Sequence, residues 1–179
     1  LCVGPKIDYI EVETPAGEHV ILAEARLSAY QKELCGVNEE GQVNEPQIIA
    51  HYKGTDLVGM AYEPLFPVLS EQGQSTNGFE NAYRVIPGDY VTTEDGTGIV
   101  HIAPAFGADD YEVGLRYDLA MFNPVGEDGC YTEGPWKGRL VVDPELEVEI
   151  IKHLASEDKL FKKQKMNHDY PHCWRCKTP

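Results

Sequence analysis

Two short stretches hold the residue types best placed to act together: Gly96-Thr97-Gly98-Ile99-Val100-His101 and Ala108-Asp109-Asp110-Tyr111, joined by Ile102-Ala103 and Pro104-Ala105-Phe106-Gly107. Glycines let the backbone turn tightly ahead of a strand, and the Pro/Gly turn lets His101 and the Asp pair converge on one pocket. A carboxylate at a helix start facing a cleft suits a substrate ammonium, held through a charge-assisted hydrogen bond. Adjacent helical residues point in different directions, so at most one of Asp109 and Asp110 serves such a pocket. Plainer roles exist for each residue. Asp109 and Glu112 have capping-box spacing, Asp110 complements the helix dipole, and a single histidine is more often a hydrogen-bonded core residue than a catalyst.

Cys173-x-x-Cys176 has the spacing of half a zinc knuckle, with His168 and His172 close by in sequence. A structural zinc site needs four ligands, so two free thiols on a turn is the competing reading. No nucleophilic serine motif, P-loop or dinucleotide fingerprint is present, which leaves a covalent mechanism without support. A metallohydrolase built on His101 and Asp109 or Asp110 is a minor alternative.

The elements that must position these residues are legible in part. Ile7, Tyr9, Ile10 and Val12, a break at Pro15-Ala16-Gly17, and His19 to Leu22 predict a hairpin. Good helix formers from Arg26 to Cys35, ended by Gly36, predict a short helix, and Pro46 to Tyr52 a further strand. Gly54 to Gly88 is rich in Gly, Pro, Ser and Asn and reads as irregular structure with brief strands. Gly98 to Ala103 reads as a buried strand, followed by a helix from about Asp109 to Tyr117. Asp143-Pro144 marks a helix start, with Leu146, Ile150, Ile151 and Leu154 on its apolar face. Leu160 to His168 reads as a last strand. Strands and helices without regular βαβ alternation indicate an α+β fold.

At 179 residues, 42% hydrophobic and 25% charged, the chain is long enough for one core and one globular domain. No apolar run approaches the length that spans a bilayer, and the first ten residues lack signal-peptide features. Five scattered cysteines argue against a secreted disulfide framework, so a soluble protein of a reducing compartment is expected. The net charge of −15 disfavours an independent, non-specific grip on nucleic acid. The local excess of positive charge at Lys162, Lys163, Lys165, Arg175 and Lys177 reads first as a solvated face and second as an RNA-backbone contact.

The run GDYVTTEDGTGIVHIAPAFGADDYEVG closely resembles the segment lining the editing pocket of isoleucyl-tRNA synthetases. AYEPLF upstream, NPVGEDGCY beyond the helix and YPHCWRCKTP at the end extend the likeness, in order, over about two thirds of the chain. The valyl and leucyl enzymes share the GTG turn and an Asp at the position of Asp110, whereas His101, the AFGADD run and CWRC favour the isoleucyl type.

The resemblance implies that residues 1–179 are a single editing domain, part of a larger synthetase, with a β-barrel-like core and peripheral helices. It implies hydrolysis of valine misattached to tRNA(Ile), and of Val-AMP, by water in a pocket that excludes isoleucine. Asp110 would bind the α-ammonium, and His101 would shape the pocket and orient ester and water. Thr97, Ala103, Phe106 and Gly107 would contact the substrate. Editing would need no cofactor or metal; zinc at Cys173 and Cys176 would belong to the full-length enzyme, completed by a cysteine pair outside this span. The implied partners are the aminoacylated 3′ end of tRNA(Ile), Val-AMP and the remainder of the synthetase, with the fragment itself monomeric and cytoplasmic.

Relatives carry a threonine-rich strand that forms another pocket wall just before the position of Leu1; with no equivalent here, the fragment is expected to hydrolyse poorly. Without the ATP-chemistry motifs it is not expected to charge tRNA. Other readings are a valyl-type domain acting on Thr-tRNA and a non-catalytic RNA-binding module.

Overall fold

The computed structural model describes residues 1–66, 79–164 and 175. Its most regular part is an antiparallel sheet in the order β3–β2–β4, formed by β2 (Asp8–Glu13), β3 (His19–Ala23) and β4 (Gln47–Lys53). The predicted turn closes the β2–β3 hairpin, with Gly17 at φ 80°. Side chains alternate as the period of two demands. Ile10, Val12 and Leu22 pack on Tyr30, Leu34 and Cys35 of α1 (Leu27–Cys35), while Tyr9 and Ala23 pack on the other side with Val3 and Leu57. Leu27, Tyr30 and Leu34 recur at helical spacing, and Gly36 at φ 67° ends the helix.

A second sheet places β1 (Cys2–Val3) between β5 (Ile86–Pro87), parallel to it, and β6 (Ile99–Val100), antiparallel. These strands are two residues each. Their stability comes from packing: Cys2, Ile86 and Val91 form a cluster with Val113 of α3 (Ala108–Arg116). Ile7 touches both this cluster and the one beneath the first sheet, joining the two halves. Further along, Asp143 caps α4 (Pro144–Ser156) by accepting from the Glu145 N–H at 2.9 Å, and Leu146 is buried on the helix's inner face.

The mixed α+β character, the hairpin, the first helix, β4 and the Asp143 start all follow the sequence expectations. A closed barrel is not shown: the described strands form two three-stranded sheets. The strand expected over Gly98 to Ala103 shrinks to Ile99–Val100, half-buried, because the chain leaves the sheet at His101 to enter the Pro104 turn. The third helix starts at Ala108 on a Gly107 N-cap without a side-chain bond, so Asp109 is not its cap. Residues 160–164 form no strand, and the remainder of that expected element lies outside the described residues. Gly54 to Gly88 includes a short helix α2 (Gly54–Leu57), whose Asp56 accepts from the Lys53 N–H at 2.7 Å. No described helix is long and apolar enough to cross a membrane.

Candidate functional site

Residues 93–98 are tied to the end of β3, an edge strand of the first sheet, to Tyr9 of β2 and to the turn before α1. Gly96 at φ 57° and Gly98 at φ 76° make the turn, and a Cβ at Gly98 would overlap the Ala23 side chain. The Ala23 N–H donates to the Thr97 carbonyl at 2.9 Å. Tyr9, fully buried, donates its hydroxyl to the Gly98 carbonyl at 2.7 Å and accepts from the Gly4 N–H at 2.9 Å. Arg26 donates to the carbonyls of Gly96 at 2.8 Å, Glu94 at 2.9 Å and Thr93 at 3.5 Å.

Beyond β6 the chain turns at Pro104, with the Phe106 N–H on the Ala103 carbonyl at 2.9 Å, and enters α3. Val113 and Gly114 set the inner face of that helix: Val113 lies in the core, and a Cβ at Gly114 would press on Pro104 at 2.9 Å. One turn earlier, Asp110 is therefore half-buried while Asp109 faces solvent. Asp110 bends back over the turn and its Oδ2 accepts from the Ala103 N–H at 3.1 Å. Gly107 makes room for this carboxylate, since a Cβ there would stand 3.1 Å from Oδ2. Ala103, Gly107 and Asp110 are thus one small constellation.

The other expected site residues sit around it rather than within it. His101 is exposed and lines a cavity of about 130 Å³ with Tyr62, Asn81, Tyr83, Ile102 and Pro104. Thr97 lines a separate cavity of about 320 Å³ with Tyr30, Lys159, Phe161 and Lys162. Phe106 projects outward, 59% exposed. Cys173 and Cys176, with His168 and His172, lie outside the described residues.

Three residues that sequence reading passed over belong to the same neighbourhood. The Tyr90 hydroxyl is hydrogen-bonded with buried Cys2, and a Cβ at Gly88 would overlap the Cys2 sulfur and crowd the Tyr90 ring. Burial pushes the Tyr90 hydroxyl well above its usual range; the bond and charge of Cys2 add to this, and the carboxylates of Asp110 and Asp109 push it further. It therefore stays a neutral O–H at physiological pH, within the field of Asp110. Burial likewise raises the Cys2 thiol. Cys2 lies far from Asp110 in sequence and carries no motif, so only the fold could bring it here.

A half-buried carboxylate on the first turn of a helix, an exposed imidazole and a neighbouring neutral hydroxyl can hold a small cation and orient water or an ester carbonyl beside it.

No family model matches the chain. It is 41% identical, over 99% of its length, to the isoleucine-tRNA ligase of Picrophilus torridus, of which it covers 15%. It is 42% identical to that of Thermococcus kodakarensis over 98% of the chain and 16% of the relative, and 39% identical to that of Clostridium acetobutylicum over all of the chain and 15% of the relative. The chain thus spans roughly a sixth of the length of these relatives. Among solved structures it is similar to the crystal structure of GlLeuRS-CP1, with a TM-score of 0.61 and 17% identity over 88% of this chain and 71% of that one. This likeness establishes the fold.

Proposed function

From the premise that this chain belongs to the isoleucyl-tRNA synthetase family, as the segment with the connective-peptide editing fold, we propose that it hydrolyses valine misattached to tRNA(Ile) and valyl-adenylate. The observation that carries the reading is Asp110, folded over Ala103 at the start of α3 with Gly107 making room for it. Asp110 holds the substrate's α-ammonium by a charge-assisted hydrogen bond. His101, on the exposed side of the same segment, orients the ester and the attacking water. Phe106 and Gly107 bound the pocket, and Thr97 and Ala103 supply contacts from the two turns. An aminoacyl ester is already activated, so positioned water and a polarised carbonyl suffice for its hydrolysis, with no cofactor.

Such a pocket answers a limit on recognition. One methylene gives about 1–3 kcal/mol of discrimination, isoleucine against valine being the usual illustration, so a second site that admits only the smaller side chain must complete the sorting. With a net charge of −15, the chain depends on the remainder of a synthetase to hold the tRNA, and only the aminoacylated 3′ end enters. The protein works in the cytoplasm, and the isolated chain is a monomer.

The reading is tested by titrating the chain with non-hydrolysable valyl- and isoleucyl-adenosine analogues. Valine-selective binding that falls at least about 10-fold in Asp110→Ala is expected for a lost charged hydrogen bond. Equal binding of both analogues, or binding indifferent to Asp110, overturns it; selective binding of the threonyl analogue assigns the valyl-type activity instead.

A further inference from the structure

Arg26 lies far from Thr97 in sequence, outside every motif that carries chemistry, yet its side chain is spent on the GTG turn. It donates three hydrogen bonds to backbone carbonyls, those of Gly96, Glu94 and Thr93, and makes them from the residue just before α1. These carbonyls lie within reach of one guanidinium in a turn where Gly96 takes a positive φ of 57°. A planar guanidinium with five donors matches such an array; an ammonium, a point donor on a flexible stem, does not. The base of the clamp is anchored: Arg26 ends the 3₁₀ turn that follows β3, and α1 then packs Tyr30 and Leu34 into the first core. The guanidinium carbon lies 6.0 Å from the centre of the Tyr30 ring.

The rest of the turn has little else to hold it. Residues 92–96 contribute no buried side chain, and the next ties, Ala23 to Thr97 and Tyr9 to Gly98, grip only its far end. Without Arg26, the stretch from Thr93 to Gly96 is left with carbonyls facing solvent and one glycine-permitted bend, at Gly96, which is a loop with many conformations.

We propose that Arg26 is a positioning residue for the editing reaction: from the residue before α1 it fixes the Thr93–Gly96 turn, and with it the entry into β6 that carries His101 to its cavity, so that this side of the pocket is formed before substrate arrives. The proposal rests on the editing reading above. Its energetic signature is specific. If only a fraction of molecules hold the turn correctly, apparent affinity falls by that fraction while the bound state, once formed, is unchanged. A loosened turn therefore weakens binding and raises KM with kcat preserved, whereas a generally destabilised chain lowers the amount of active protein and leaves KM alone.

The test compares the native chain with Arg26→Ala and Arg26→Lys by hydrogen exchange and by titration with the valyl-adenosine analogue. In Arg26→Ala, amides of residues 93–97 should exchange faster while Ile10 and Leu22 keep their protection, and affinity should fall by about 10-fold, as expected when roughly a tenth of the population stays competent. Added guanidinium ion should restore affinity to Arg26→Ala; Arg26→Lys, with its cavity filled by the wrong donor, should respond little. Unchanged exchange at 93–97 in Arg26→Ala overturns the clamp. A loosened turn with unchanged affinity overturns its link to the pocket. A native chain that binds no analogue removes the editing reading and the positioning role with it, while the exchange data still decide whether Arg26 holds the turn.

Discussion

The sheet β3–β2–β4 with α1 and the segment from Ile86 to Leu119 are built on opposite principles. In the first, strands of five to seven residues alternate their side chains onto a core whose largest members are fully buried, and the strands are paired along their length save for a bulge at Ile49 of β4. In the second, strands of two residues give way to turns, and a small packed cluster of Cys2, Ile86, Val91 and Val113 is supplemented by single hydrogen bonds and by glycines that let atoms approach: Asp110 to Ala103, Tyr90 with Cys2, Arg26 to the carbonyls of Thr93, Glu94 and Gly96. A periodic sheet is stable because many equivalent contacts share the load. A turn-rich segment can aim individual groups in directions no strand allows, at the cost of depending on each tie.

The largest difference between the two should appear on truncation in the first region. Leu22 is 1% exposed, stands opposite Ile10 and packs in the cluster under α1. Leu22→Ala should destabilise the whole chain by about 2–5 kcal/mol in denaturant unfolding, from lost transfer energy and the cavity left behind. Asp110→Ala should cost only about 1 kcal/mol, the worth of its one bond to the Ala103 N–H, while lowering analogue binding at least about 10-fold. A matching drop in stability for Asp110→Ala would erase the proposed division of labour.

Tyr9 offers a sharper cut, because it belongs to the regular sheet by its ring and to the site segment by its hydroxyl. Tyr9→Phe keeps the packing but strands two buried backbone groups, the Gly4 N–H and the Gly98 carbonyl. Leaving such groups unsatisfied costs about 1–3 kcal/mol, so the variant should unfold at measurably lower denaturant, and hydrogen exchange should rise at residues 97–99 more than at Ile10 or Leu22. Uniformly raised exchange would mean that the two regions open together rather than separately.

The same contrast explains what sequence alone could reveal. Alternation through Tyr9, Ile10 and Val12, the helical spacing of Leu27, Tyr30 and Leu34, and Asp143-Pro144 are local signals with local consequences, and the structure follows them. The expected strand through Ala103 failed because Ile99 to Ala103 is apolar except at His101, a pattern that does not say where a sheet ends; the chain leaves the sheet at His101 for the Pro104 turn. Barrel closure depends on strand lengths that composition does not encode. At the site, the turn and the approximate helix start could be read from the Pro104 to Gly107 run, whereas the residues alone said only that at most one of Asp109 and Asp110 faces a pocket, and the choice of Asp110 came from the family resemblance. Arg26, Tyr90 and Cys2 could not be read, since their roles rest on contacts between residues far apart in the chain and their types are common on any surface or in any core.

The smallest expected effect concerns charge in the regular region. Glu11 accepts from the Tyr52 hydroxyl at 2.6 Å and pairs with the His19 imidazole at 2.9 Å, linking all three strands of the sheet. The Tyr52 bond holds the Glu11 carboxyl below its usual range, burial opposes this, and His19 adds to the lowering. A carboxyl depressed in the folded state binds its proton more readily when unfolded. Its contribution is therefore complete above the ordinary glutamate range and is lost as pH falls through the folded-state value. Unfolding midpoints of the native chain should drop on acidification below the ordinary glutamate range, and Glu11→Gln should remove part of that slope, lowering stability slightly above the ordinary glutamate pKa of about 4.3 and progressively less as the pH falls below it. An identical acid slope in Glu11→Gln would place the acid sensitivity in the other carboxylates, and the regular sheet would then owe its stability to packing alone.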